Sequence, residues 1–161
     1  MINSNGYRIA NDLIEVEVVK RELTVCPFIP GINNPTKYSL FRVSSDNRYV
    51  YTPKYYGLKK FGKPEEFSEQ SGKSCEIEFN GKLRNYQEPI LKKILKEIQT
   101  NDSCIASLYT GWGKTCGALW IISQLKVKTL IIVHKEALLE QWAKQILSFL
   151  GITVSIIQGK N

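Results

Sequence analysis

The 161-residue sequence has little of what metal centres and disulfide-stapled folds require. It contains one histidine, His134, and four separate cysteines with no CxxC pair. These absences argue against a zinc site and against a disulfide framework, so we expect a reducing, intracellular and cytoplasmic location. Positions 1–8 are polar and form no signal-peptide core, and no apolar run is long enough to cross a bilayer. We therefore expect no membrane partner.

The second half of the sequence is also short of two residue types. After Asp102 it has no aspartate and only the glutamates Glu136 and Glu140, and after Arg84 it has no arginine. Residues 103–161 hold six lysines, which leaves an excess of four positive charges. That excess, within a formal net charge of +7, fits a surface that contacts a DNA or RNA strand.

A glycine-rich loop, Thr110-Gly111-Trp112-Gly113-Lys114-Thr115, is the most informative stretch of the sequence. An apolar run over 104–108 predicts a buried strand before the loop, and the apolar residues after it predict a helix. Gly-Lys-Thr at such a turn is the core of a phosphate-binding loop, in which backbone N–H groups surround an anion. Lys114 would reach the outer phosphates, and the Thr115 hydroxyl suits magnesium. Leu108 stands where the longer pattern has glycine, so only the shorter form is intact.

Residues 1–80 differ in pattern from the rest and predict a small β-rich domain. Alternation and β-branched residues indicate strands over 13–19, 22–26, 38–43 and 49–52. The stretch 55–63 mixes aromatic residues with lysines, as nucleic-acid surfaces do. No period places both kinds on one face, so we prefer a small aromatic core with solvated lysines beside it. A polar stretch over 63–82 suggests a domain boundary near residue 80.

From residue 81 onward, predicted helices and strands alternate. Helical spacing indicates an amphipathic helix that begins near Leu83, and another over 136–150 that ends at Gly151. Apolar runs at 104–108, 129–133 and 152–157 predict strands between them. An order of helix, then βαβαβ, predicts a parallel sheet with right-handed crossovers. The fold class is therefore α/β, with an α+β domain over 1–80 and a phosphate-loop domain over 81–161.

Two further constellations flank the loop. The Gln87 amide matches the N6/N7 edge of adenine, and the Arg84 plane can stack on a base. Alone they would be a polar helix start, but the loop that follows favours adenine binding. His134 and Lys135 stand where a strand ends and a helix begins, so N–H groups there could hold a nucleic-acid phosphate. Solvated turn residues explain that pair equally well.

Together these residues resemble the superfamily 2 helicases. Residues 83–87 are similar to the adenine-recognising Q-type motif, 110–115 to motif I and 134–142 to motif Ia. The ending 156–160 also recurs in that family. The resemblance is strongest to DEAD-like, A18-type helicases of large cytoplasmic DNA viruses, in a wider group with UvrB and type III restriction-like motors. Residues 83–161 carry it.

The resemblance implies an ATP-dependent DNA or RNA helicase with a RecA-like domain that is truncated here. It places His134 and Lys135 on the nucleic-acid strand, Thr115 on magnesium, and Lys114 with Thr115 in catalysis. A viral protein of this kind would act in the virus factory or the virion. The implied ATP-binding set is Arg84, Gln87, Thr110, Gly111, Trp112, Gly113, Lys114 and Thr115.

The departures from the family pattern matter as much. The family hydrolyses ATP with an Asp-Glu pair on a later strand and closes a second motor domain over it. Neither is present in residues 103–161. We therefore expect the front part of a helicase that needs the remainder of the motor in cis or in trans. The alternative is a non-catalytic nucleic-acid-binding or scaffold module with a relic nucleotide site. Gln87 and His134 disfavour a nucleotide kinase.

Overall fold

The structure, a computed structural model, describes residues 1–12, 15–28, 30–31, 34–65 and 72–159. It divides into two compact units, Met1–Ser71 and Gly72–Asn161. The division falls before the boundary expected near residue 80. Residues just after it join the second unit, where the Cys75 N–H donates to the Lys126 carbonyl (3.0 Å). No helix in the described ranges combines the length and apolar character that a bilayer crossing requires.

The first unit contains an antiparallel sheet of four strands. These are β1 (Ile2–Asn3), β2 (Gly6–Ala10), β5 (Arg42–Val43) and β6 (Tyr49–Thr52), in the spatial order β1-β2-β6-β5. A second, two-stranded sheet pairs β3 (Thr24–Val25) with β4 (Tyr38–Ser39). The helices of the unit are α1 (Val16–Glu22) and α2 (Lys54–Phe61).

One face of the four-stranded sheet forms the core of the first unit. Tyr7 and Ile9 on β2 are buried, and so are Val50 and Thr52 on β6, which is the period-two pattern of a sheet with one covered face. Helix α2 lies close to β2: a Cβ added at Gly57 would sit only 2.1 Å from Cγ of Tyr7. The buried core residues are Ile2, Tyr7, Ile9, Val16, Val19, Leu23 and Val50.

The predictions for the first unit are partly corrected. The strand expected over 13–19 is wrong from Val16 onward, where α1 buries Val16 and Val19, three residues apart on one helix face. Residues 13–14 of that prediction lie outside the described residues. The strand expected over 38–43 divides into β4 and β5, which belong to different sheets. The strand over 49–52 is confirmed, as is the aromatic core near 55–63, since Tyr56 and Phe61 pack against the core.

The second unit is built from α3 (Gln87–Asn101), α4 (Lys114–Leu125) and α5 (Glu136–Leu150). The bounds of α5 confirm the predicted helix, and Gly151 ends it with a φ of 66°. Helix α4 packs on α5 through the buried residues Leu119, Ile146 and Leu150. Phe79 stacks on Phe149, with ring centroids 5.4 Å apart.

The parallel sheet stays a prediction. Within 72–159, the runs 104–108, 129–133 and 152–157 form no ladder, and the isolated bridge in this range joins Ser74 to Val127. Ile105 is 97% exposed and Ile132 85%. An apolar cavity of about 160 Å³ lies between the second run, α5 and the third run. Parallel strands are stable when helices cover both sheet faces, and these runs lack that cover. What the structure describes is a mixed α/β chain.

Candidate nucleotide site

The phosphate loop reaches α4 through two glycines in the left-handed region. Gly111 has a φ of +84° and Gly113 of +94°, values that glycine adopts without steric strain. A Cβ built at Gly111 would meet no described atom within 4 Å, so this side of the loop is open. Gly113 caps α4, whose first N–H groups and positive dipole end face the loop. The loop therefore has the backbone form that an anion site requires.

Lys114 is the first residue of α4, and its side chain turns back over the loop. Its ammonium Nζ donates to the carbonyls of Leu108 (3.0 Å) and Tyr109 (2.9 Å). A phosphate oxygen is a stronger partner for an ammonium group than a neutral carbonyl is. The side chain can therefore exchange these two bonds for an anion without leaving the loop. Thr115 follows as the second residue of α4 and is half-buried.

Gln87, the first residue of α3, holds the loop from beneath and is only 3% exposed. Its Nε2 donates to the Trp112 carbonyl (2.9 Å), and its Oε1 accepts from the Arg84 N–H (2.8 Å). A Cβ added at Gly113 would lie 2.6 Å from that Nε2. Both ends of the amide therefore bond to the main chain. Gln87 fixes the loop, a role that its spacing in the sequence did not reveal.

Trp112 is a core residue, although the sequence places it inside the phosphate loop. Its side chain is 1% exposed, and the Tyr86 ring meets it edge-on at 6.2 Å between centroids. A Cβ added at Gly117 would lie 3.0 Å from the indole and 2.9 Å from Leu91. The indole thus fills the space between α3 and α4. Any contribution of Trp112 to a ligand must come from its main chain.

Arg84 lies beside the loop with an exposed side chain. Its Nη1 donates to the Tyr86 hydroxyl (2.7 Å), and its charge interacts with Tyr109 and with Cys116 of α4. Burial raises the pKa of the Cys116 thiol, and nearby Arg84 opposes that rise. The prediction for residues 83–87 included Tyr86 but gave its ring no role. Its position between Arg84 and Gln87 could have indicated that role, because the ring contacts Trp112 and its hydroxyl accepts from Arg84.

His134 and Lys135 form a second locus at the start of α5. Lys135 caps the helix with extended backbone, and its carbonyl accepts from the N–H groups of Leu138 (3.1 Å) and Leu139 (3.2 Å). Both predicted strand-binding residues are exposed. They line a depression of about 290 Å³ together with Ile157, Gln158 and Gly159. The structure thus groups Arg84 and Gln87 with the loop, and His134 and Lys135 with the segment that ends the described chain.

Residues 80–161 match the family described as "Type III restriction enzyme, res subunit". The chain is also 33% identical over 166 residues to a protein of Acanthamoeba polyphaga mimivirus provisionally named ATP-dependent RNA helicase L396, an alignment that covers 96% of the chain. It is 41% identical over 71 residues to a protein of Invertebrate iridescent virus 6 provisionally named helicase 161L, over 44% of the chain. The helicase resemblance predicted for residues 83–161 is thereby confirmed.

A third relative is archaeal. The chain is 43% identical over 77 residues to the DNA 3'-5' translocase XPB2 of Sulfurisphaera tokodaii, over 48% of the chain. These alignments cover 32% of the mimivirus relative, 16% of the iridescent virus relative and 17% of the archaeal one. The chain therefore spans at most about a third of the length of the curated relatives that it matches. The mimivirus alignment includes the first unit, whereas the other two are much shorter.

Proposed function

The chain belongs to the family of the type III restriction enzyme res subunit, among the superfamily 2 helicases, and from this premise we propose that its second unit binds ATP for a helicase motor. The observation that carries the proposal is the hydrogen bond from Gln87 Nε2 to the Trp112 carbonyl. It joins the Q-type segment to the phosphate loop, so that both belong to one site. Loops held by such contacts bind anions without first paying an ordering cost.

We assign the phosphate end of the site to Gly111, Gly113, Lys114 and Thr115. Their backbone N–H groups and the start of α4 would surround the phosphates. Lys114 would exchange its bonds to Leu108 and Tyr109 for the outer phosphates and stabilise charge that develops during phosphoryl transfer. The Thr115 hydroxyl is the group of the loop that would hold magnesium, which would neutralise charge at the outer phosphates.

We assign the base end to Arg84 and Gln87. The exposed guanidinium of Arg84 lies near the loop and can stack on a base. The Gln87 amide already donates one hydrogen to the Trp112 carbonyl and accepts the Arg84 N–H on one lone pair. Its second hydrogen and second lone pair would be the ones that read the adenine edge. In this proposal Gln87 both positions the loop and discriminates the base.

We assign the nucleic-acid strand to His134 and Lys135. Lys135 caps α5, where N–H groups and a lysine together suit a phosphate of DNA or RNA. In the whole motor, the three apolar runs would pair as the parallel sheet of a RecA-like domain, covered by the remainder of the protein. The exposure of Ile105 and Ile132 supports this need for cover. Hydrolysis would require acidic residues supplied by that remainder.

Binding of a fluorescent ATP analogue to the 161-residue chain tests the nucleotide site. We expect magnesium-dependent binding that Lys114→Ala weakens at least about tenfold, because a charge-assisted contact to phosphate is lost. Lys144→Ala, an exposed lysine in α5, is the matched control and should bind as the parent does. Equal binding by Lys114→Ala and the parent would contradict the assignment.

Strand unwinding by the full-length parent separates the motor from the relic-site alternative, because both readings predict that the chain alone does not hydrolyse ATP. The chain alone should bind ATP without hydrolysing it, since Glu136 and Glu140, the acidic residues after Asp102, both lie on α5. In the full-length parent, Lys114→Ala should abolish ATP-driven strand unwinding. Unwinding that survives this substitution would refute the helicase role of the site.

A further inference from the structure

The four-stranded sheet of the first unit has a second face that its core does not use. Side chains alternate along β2 and β6, so Tyr7, Ile9, Val50 and Thr52 point into the core. Arg8 on β2 and both Tyr49 and Tyr51 on β6 point to the opposite face and are partly exposed. Arg42 on β5 joins them and is exposed. We call Arg8, Arg42, Tyr49 and Tyr51 the tyrosine-arginine face.

The strand register interleaves the aromatic and basic side chains of this face. Tyr51 on the inner strand β6 pairs with Arg8 of β2 on one side and with Arg42 of β5 on the other. The Arg8 guanidinium carbon also lies 4.4 Å from the centre of the Tyr49 ring. Two rings on alternate residues of one strand stand about 7 Å apart, which leaves room for a different base on each.

The charge of the face is positive and uncompensated by its own strands. None of β1, β2, β5 and β6 contains an aspartate or glutamate. Asp46, in the turn between β5 and β6, is paired with Arg48 at 2.7 Å rather than with the face. Arg42 donates to the neutral amide oxygen of Asn5 (2.6 Å), so its charge stays available. A negatively charged partner is therefore complementary to this face.

We propose that the tyrosine-arginine face binds single-stranded nucleic acid, with bases stacked on Tyr49 and Tyr51 and phosphates held by Arg8 and Arg42. Aromatic rings beside basic residues on an open sheet are how proteins hold single strands without reading sequence. A duplex keeps its base faces stacked internally and cannot offer them to the rings. The face lies in the first unit and shares no residue with the ATP site. Strand binding here is thus independent of the nucleotide proposal.

Photo-crosslinking locates the contact directly. The probe is a short oligothymidylate or oligouridylate that contains 5-iodouracil, irradiated with the 161-residue chain in the absence of ATP. Trypsin cuts after Arg48 and Lys54, so Tyr49 and Tyr51 leave together on the peptide 49–54. We expect the probe on that peptide. Crosslinks confined to other peptides would overturn the proposal.

Equilibrium binding then tests the chemistry. Tyr49→Thr and Tyr51→Thr keep a strand-favouring residue but remove the ring, and each should weaken single-strand binding at least about fivefold. Arg8→Gln and Arg42→Gln should each flatten the dependence of log affinity on log salt concentration by about 0.7. Tyr38→Thr on β4 and Arg21→Gln on α1 are the matched controls outside the face. Unchanged affinity of both tyrosine variants, or tighter binding of duplex than of single strand, would overturn the proposal.

These assays can refute the ATP-binding proposal and the strand-binding proposal separately. Lys114→Ala should bind single strand as the parent does, because the face lies in the other unit. Tyr51→Thr should bind the ATP analogue as the parent does, for the same reason. Loss of strand binding in Lys135→Ala, with the parent affinity kept by Tyr49→Thr and Tyr51→Thr, would place strand binding at the second unit and refute the face.

Discussion

In the first unit, β2, β6 and α1 converge on a closed core in which Ile2, Val19 and Val50 are fully buried. In the second unit, α4 and α5 share a smaller core around Leu119, yet Ile132 lies largely in solvent. The contrast follows from architecture. An antiparallel sheet needs cover on one face only, whereas the predicted parallel sheet needs helices on both. The first unit therefore completes its fold with local partners.

The candidate site nevertheless forms within the less complete unit. Its loop is held by Gln87 from α3 and by the indole of Trp112, which packs between α3 and α4. None of these contacts involves the exposed apolar runs. Helices that pack locally thus hold the loop, and its link to the apolar runs is the bond from Lys114 to the Leu108 carbonyl. The candidate site of the second unit therefore takes its shape from packed helices, whether or not the three apolar runs pair as the predicted sheet.

The largest effect should come from overfilling the core of the first unit. Gly57→Val would drive a side chain into Tyr7, where a Cβ alone already falls 2.1 Å from Cγ. We expect a loss of at least about 3 kcal/mol in the free energy of unfolding of that unit. Hydrogen exchange at the amides of β2 and β6 measures it.

The control for Gly57→Val is Lys59→Val, which adds the same side chain at an exposed position of α2. All three tryptophans, Trp112, Trp120 and Trp142, lie in the second unit, so tryptophan fluorescence follows that unit alone. Its thermal transition should not move in Gly57→Val. If Gly57→Val lowered both the amide protection of β2 and β6 and the tryptophan-detected transition, the two units would not be independently stable.

The next effect concerns the two hydrogen bonds by which Gln87 holds the phosphate loop. Gln87→Ala leaves the Trp112 carbonyl and the Arg84 N–H without the amide, at a cost of about 1–3 kcal/mol to the second unit. Affinity for ATP and for GTP should both fall, and the preference for ATP should narrow. Gln99→Ala, on the exposed side of α3, is the control. A preference for ATP that is the same before and after would contradict adenine reading by Gln87.

Sequence reasoning succeeded where the signal is local. The 3.6-residue period and Gly151 predicted the bounds of α5. The glycines of the loop indicated a tight turn, and Gly111 and Gly113 do have positive φ. It failed where the deciding partner is distant. The core, not the partial alternation over 13–19, determines that Val16 begins a helix. The bond from Gln87 to Trp112 spans 25 residues and could not be read from either motif alone.

A smaller effect on stability is expected at the exposed apolar runs. Ile132→Lys should change the free energy of unfolding by no more than about 0.5 kcal/mol, because the side chain is 85% exposed. It should reduce self-association in sedimentation velocity, since an exposed apolar run is a site of association. Val133→Lys is the contrast, because Val133 lines the apolar cavity and should be less tolerant. Severe unfolding of Ile132→Lys would mean that the run is already paired in a sheet.

The smallest effect belongs to a turn of the first unit. Asp46 accepts from the Ser44 hydroxyl (2.5 Å), the Arg48 N–H (3.2 Å) and Arg48 Nε (2.7 Å), and these bonds lower the pKa of its carboxyl from 3.8 to about 2. A depressed pKa stabilises the fold above the unfolded value and loses that contribution as pH falls through the folded value. Asp46→Asn should therefore lower the melting temperature of the first unit slightly at neutral pH, and the difference should close as pH approaches about 2. Exposure and solvent screening keep this effect small. Asp12→Asn makes the same change in charge elsewhere in the unit, and a pH profile shared by both variants would mean that the turn contributes nothing of its own.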